Sequence, residues 1–167
     1  MRFRLSHQLN TKIKAGPLPA LPLDGNLYAD WSARIFTADR SQYILVSHTS
    51  SLYSVVMFGR GITDDGLFIK RAVDSIRESM SYDGLELIYM NFVAPTTASV
   101  RFCKSLNHTV TGRMNALEET AKHLLQTGEW SPFDVGFNLN KIPFAAIAPP
   151  DTGGYATPRE AFKRLGV

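Results

Sequence analysis

Cysteine is nearly absent: Cys103 stands alone in a chain of 167 residues. A disulfide framework and a cysteine metal cluster within one chain are thereby excluded. A lone thiol fits a reducing cytoplasm. No apolar run approaches the roughly 18 residues that a bilayer span needs. The opening MRFRLSHQLNTKIK is basic but has no apolar stretch behind it, so it does not read as a secretory signal. No H-E-x-x-H, phosphate loop or dinucleotide glycine pattern occurs. Asp64-Asp65 is followed by no Asp/Asn ladder, which excludes an EF-hand loop. Charge of one sign is also scarce. Lys and Arg exceed Asp and Glu by 18 to 15, a net charge of +3, a mild excess that by itself carries little weight for nucleic-acid binding, where a basic stripe is usual. The expectation is a soluble cytoplasmic protein with no membrane segment, no metal and no cofactor. Oligomeric state leaves no mark in the sequence.

What is present is an ordinary globular composition, 44% hydrophobic and 20% charged, long enough to bury one substantial core. A single domain over residues 1–167 is expected. Its centre is residues 31–61. Residues 33–37 and 43–47 are β-prone runs around a polar turn, and residues 52–58 form a third dense apolar run, strand or buried helical turn. Ahead of them, Phe3 and Leu5 alternate with Arg2 and Arg4, the pattern of a short edge strand with its arginines in solvent. Ser6 can cap a short helix with Leu9 and Ile13 on one face. Residues 15–26 hold three prolines and two glycines and read as an extended connector.

Helical spacing of Phe68 or Ile69 with Ala72, Ile76 and Met80 predicts an amphipathic helix from Asp64 to about Ser81. Residues 85–93, LELIYMNFV, read as a central strand, and residues 98–104 as a second one. Met114, Leu117, Ala121, Leu124 and Leu125 mark a second helix, with Thr109 or Thr111 as N-cap and Glu118-Lys122 as an i, i+4 pair. Phe133, Val135 and Phe137 alternate as a short strand would. Thr157-Pro158-Arg159-Glu160 is a capping box with proline at the first helical position. The fold class is α+β: a mainly antiparallel sheet against two principal helices and a short C-terminal one.

Two stretches are candidates for function. The first is residues 107–115. A helix N-terminus offers unpaired N–H groups and a positive dipole end, Gly112 permits close approach, and Arg113 adds a charge. Asn107, Thr109, Gly112, Arg113 and Asn115 would bind a phosphate or carboxylate, with Arg101 and Lys104 on the preceding strand in support. The ordinary alternative is a capped helix whose asparagines fix the loop. The second stretch is His48 among Ser47, Thr49, Ser50 and Ser51, at a strand end where function often sits. A Ser-His pair needs an orienting acid and an oxyanion hole, and the local sequence supplies neither. Cys103, in an apolar setting, reads as a small buried hydrophobe.

The opening MRFRLSHQL, the run WSARIFTADRSQYILVSHTSSLYSVVM, the segment NHTVTGRMNAL and the later NKIPF together resemble a family of small bacterial proteins, the domain of unknown function 6933. In that family a basic start precedes a W-x-A-x-x-F-T hairpin, and an N-R-S-V-L-G-S-M-N-D segment enters a helix. Here His108 stands where the family has Arg, Arg113 where it has the second Ser, and Ala116 where it has Asp. The resemblance spans most of the chain and implies no activity.

Two functions therefore follow as expectations. One is a cytoplasmic binding or accessory module that engages an anionic ligand, RNA or a protein partner through residues 107–115. The other is a small hydrolase or nuclease-like enzyme with His48 or His108 as general base and Arg113 stabilising a phosphate. The enzyme requires a histidine and Arg113 in one cleft.

Overall fold

Ala38 and Ser41 face each other across a two-residue turn, Asp39-Arg40, that joins the two longest strands. These are β2 (Asp30–Ala38) and β3 (Ser41–His48), and β4 (Ser54–Phe58) pairs antiparallel with β3. β1 (Arg2–Leu5) and β5 (Arg101–Cys103) complete a sheet of order β4-β3-β2-β1-β5. β1 runs parallel to both of its neighbours, so the sheet is mixed. The computed structural model describes residues 1–151 and 153–166.

The class is α+β as expected, and of the sheet's four strand pairings two, β2–β3 and β3–β4, are antiparallel and two, β1–β2 and β1–β5, are parallel. β1 is an interior strand, not an edge. Its Arg4 is 2% exposed rather than solvated, because Asp30 on β2 neutralises it and the proline-rich connector covers it. Arg4 donates to the carbonyls of Leu21 and Pro22, and Arg2 also donates to Pro22. Arginine, more than leucine, ties the connector down.

The helices are α1 (His7–Ile13), α2 (Asp65–Tyr82), α3 (Glu86–Ile88), α4 (His108–Gln126), α5 (Pro132–Leu139) and α6 (Pro158–Lys163). Ser6, Asp64 and Thr157 cap α1, α2 and α6 as their sequences require, and both bonds of the Thr157/Glu160 box form. For α4 the cap is Asn107, not a threonine: its side chain accepts from Val110 N at 3.0 Å. Residues 85–93 are not a strand. They continue helically through α3 and a π turn, Tyr89–Val93, into a 3-10 turn, Ala94–Ala98. Leu85, Tyr89 and Val93 are buried at a spacing of four, while Leu87, Met90 and Phe92 are exposed. Residues 133–137 are also helical. Ser131 caps α5, Pro132 occupies its first position, and Val135 and Leu139 bury one face.

Strand alternation divides the interior in two. Phe3, Leu5, Trp31, Ile44 and Val46 face α1 and α2, while Phe36, Tyr43, Leu45 and Val56 face α4 and α5. Phe162 of α6 plugs the first side, with its ring 4.8 Å from that of Tyr53 and 5.9 Å from that of Trp31. A buried ring of this size contributes about 2–3 kcal/mol. On the second side Asn140 clasps β4, accepting from Ser54 N at 2.7 Å and donating to Ser54 O at 2.9 Å. Among the described residues no helix is long and apolar enough to cross a membrane.

Candidate functional site

β2 outruns β1 in the sheet, since β1 pairs only as far as Leu5 with Ala33. From Arg34 onward β2 is bordered by the start of α1, and α4 lies over its second face. Between them is a cleft of about 120 Å³ lined by Arg4, Ser6, Ser32, Arg34, Ser105 and Thr111, with Ala33 and Met114 as its apolar part. At about 30 Å³ per water, that is room for roughly four waters or one tetrahedral oxyanion.

Arg34 joins the sheet to α4. Its Nη1 donates to Asn115 Oδ1 at 2.5 Å and to Glu118 Oε2 at 3.1 Å, and its Nη2 donates to Thr111 O at 3.3 Å. A guanidinium carries five N–H donors. The Nε–H and one Nη2–H of Arg34 make no bond among the described residues. Glu118 is shared with Lys122, 2.9 Å away, which holds the Lys122 ammonium above its ordinary pKa through that hydrogen bond. Arg4, by contrast, is spent. Its donors go to Asp30, Leu21 O, Pro22 O and Lys104 O. Thr49 donates to Asp30 Oδ1 at 2.7 Å and shares a hydrogen bond of 2.9 Å with Ser32. Arg4, Arg34 and Lys122 therefore face two carboxylates, Asp30 and Glu118, which leaves one positive charge over.

Of the residues singled out by sequence, Asn115 meets Arg34, and Asn107 is occupied as the α4 cap. Thr109 and Gly112 are exposed on the first turns of α4. Nothing lies within 4 Å of a Cβ built on Gly112, so the fold itself does not require glycine there. Arg113 is partly exposed but turned away: two helical residues separate it from Thr111, about 200° of rotation. Lys104 lends its carbonyl to Arg4 while its side chain is exposed, and Arg101 lies about 10 Å further back along β5. Sequence reasoning missed Arg34. The one available signal was a charge in the middle of the strand WSARIF, flanked by Ala33 and Ile35.

The histidines are not assembled with Arg113. His48 lies with Ile44 and Val46 on the sheet face opposite α4 and packs edge-on to Trp31 and Phe162. It is fully buried, and both nitrogens are in use. Nδ1 accepts from Ser51 N at 3.2 Å, which fixes the Nε2–H tautomer that donates to Leu27 O at 2.8 Å. Burial pushes its pKa down to about 4. His108 is the exposed first residue of α4, about 140° around the helix from Arg113. Cys103 is buried beneath Phe3 O, and burial raises its thiol pKa, so the group is an inert hydrophobe. Among the described residues no three His, Cys, Asp or Glu side chains converge as a metal site would.

A mixed five-stranded sheet with an arginine-lined cleft under its longest helix defines an α+β protein. The chain belongs to the DUF6933 family, a domain of unknown function, whose model matches residues 2–161. No curated protein and no solved structure matches the chain significantly.

Proposed function

We propose that the protein is a non-catalytic binding module of the bacterial cytoplasm that takes an anionic group in the cleft beneath α4. The group is a phosphate or carboxylate carried by RNA or by a protein partner. The observation that carries this reading is Arg34: two of its N–H groups are unspent at a cleft where Ser6, whose oxygen accepts from Leu9 N, also keeps its O–H to donate. Asn115 and Thr111 fix the guanidinium, so little ordering remains to oppose binding. Residues 107–115 contribute by positioning Arg34, and the exposed Thr109, Gly112 and Lys104 lie nearby in sequence as secondary contacts. The placement of His48 behind the sheet favours this reading over a hydrolytic one, since a general base needs a free nitrogen within reach of the reacting group.

The test is an amide NMR titration with inorganic phosphate, acetate and a short RNA. Binding at the cleft shifts the amides of residues 105–115 and of Arg34, and Arg34→Gln abolishes those shifts while Arg113→Gln leaves them in place. Shifts that survive Arg34→Gln would place the ligand elsewhere.

A further inference from the structure

The far end of the same sheet carries a second groove with a different chemistry. It lies at the tip of the β2–β3 hairpin and encloses about 500 Å³. Lys12, Arg40 and Arg60 bring three cations to it, Ser41 and Gln42 bring neutral hydrogen-bonding groups, and no carboxylate lines it. The remaining large side chain is Phe58, 53% exposed. One face of its ring rests on Tyr43, with centroids 5.4 Å apart and planes at 30°. Tyr43 rests in turn on Phe36, at 5.7 Å and 26°. The lower two rings are buried and fix the position of the third. A three-ring stack thus rises from the interior and presents an immobilised aromatic surface among cations.

Asp39 and Arg40 have φ of 46° and 64°, the left-handed pair that a two-residue hairpin turn of this hand requires. Glycine suits the second position best, because a Cβ is strained there. An arginine is held in its place, and its side chain lines the groove. Lys14 and Leu52 adopt the same conformation, so it is the place of Arg40 on the groove, and not its φ, that bears on binding. Gln42 is held too: its Oε1 accepts from Lys12 Nζ at 3.0 Å, which leaves its amide N–H groups to donate.

An aromatic platform flanked by cations and free of carboxylates matches a nucleobase with a phosphate on either side. We propose that this groove binds single-stranded nucleic acid, with one base stacked on Phe58, the phosphates on either side of it and the next one along held by Arg40, Arg60 and Lys12, three in all. A duplex keeps its base faces covered and cannot use the ring. A groove of about 630 Å³ shares Lys12 and Gln42 and continues past Phe36 and Thr37 to Lys122, where the strand would leave. The one carboxylate on that path, Glu118, is neutralised by Arg34 and Lys122. The proposal stands apart from the cleft under α4, with which the tip groove shares no lining residue.

The test is fluorescence anisotropy on the full chain with labelled RNA and DNA of about ten nucleotides, single-stranded and as duplexes, from ~50 mM salt upward. The single strands bind more tightly than the duplexes, and log K falls against log salt with a slope of about −2, as three neutralised phosphates require. Phe58→Ala lowers single-strand affinity by roughly tenfold with that slope unchanged. Arg40→Gly lowers affinity and reduces the slope by about 0.7, and its Tm is held or raised because the left-handed strain is relieved, so the loss is not unfolding. The proposal is overturned by an absence of single-strand binding in low salt. It is equally overturned if duplex binds as well as single strand, or if Phe58→Ala binds as tightly as the parent.

Discussion

Arg4 and Asp30 meet inside the protein through two parallel hydrogen bonds, Nε to Oδ1 at 2.7 Å and Nη2 to Oδ2 at 2.8 Å, with side chains 1% and 4% exposed. The pair sits where β1 lies beside β2, and each partner also holds the connector: Arg4 through Leu21 O and Pro22 O, Asp30 through the backbone N–H of Asp24. Hydrogen bonding to Asp30 and its charge raise the Arg4 pKa against the opposing effect of burial. The ion pair therefore fastens an otherwise irregular stretch of about a dozen residues to the sheet, in which three prolines remove backbone donors.

Removing one partner leaves the other charge buried and unpaired, at a cost of about 3–5 kcal/mol. Asp30→Ala is expected to lower the unfolding free energy by that amount, read as a lower urea midpoint at unchanged m. The double variant Arg4→Met/Asp30→Ala is expected to be less destabilised than the sum of the single variants, because it leaves no orphaned charge. A strictly additive cycle would mean that the pair is not coupled.

His48 makes stability depend on pH. Burial lowers its folded pKa from the ordinary 6.5 to about 4. The unfolded chain takes up the proton first, so the contribution is fully present above about pH 6.5. It is lost as pH falls from there through about pH 4, below which both states are protonated and the loss stops growing. Over that window the loss is roughly 3 kcal/mol at 1.36 kcal/mol per unit. Melting temperatures across the window should show the decline in the parent. In His48→Gln the decline should be shallower, although that variant starts from a lower stability at neutral pH. Equal slopes in the two proteins would rule His48 out as the titrating group.

The legibility of this chain followed the range of the interactions. Helices α2 and α6 could be read because their caps and their apolar spacing are local: Asp64 with Leu67, and Thr157 with Glu160. Residues 85–93 misled because a dense aromatic and aliphatic run satisfies a buried strand and a helix alike. Only the burial of Leu85, Tyr89 and Val93 at every fourth position separates the two. Phe133, Val135 and Phe137 alternate by accident within a helix whose true signal is the cap Ser131-Pro132 ahead of it. Arg4 looked solvated because alternation reports which face a residue occupies and not what covers that face. Arg34 could not be assigned from sequence, since its partners Thr111 and Glu118 lie 77 and 84 residues away.

Two glycines in helices should respond to alanine with opposite signs. Gly136 of α5 lies against β4 so closely that a Cβ would stand 3.1 Å from Val56 N and 3.2 Å from Val55 Cα. Both are backbone atoms of a strand held by β3 on one side and by Asn140 on the other, so neither can give way cheaply. Overpacking of this kind costs about 1–3 kcal/mol. The better helix propensity of alanine returns at most about 1 kcal/mol. Gly112 of α4 is exposed with nothing within 4 Å of its Cβ position, so there the propensity gain stands unopposed. Gly136→Ala is therefore expected to lower the Tm and Gly112→Ala to raise it. If both raised it, the close approach of α5 to β4 would not be a constraint on the fold.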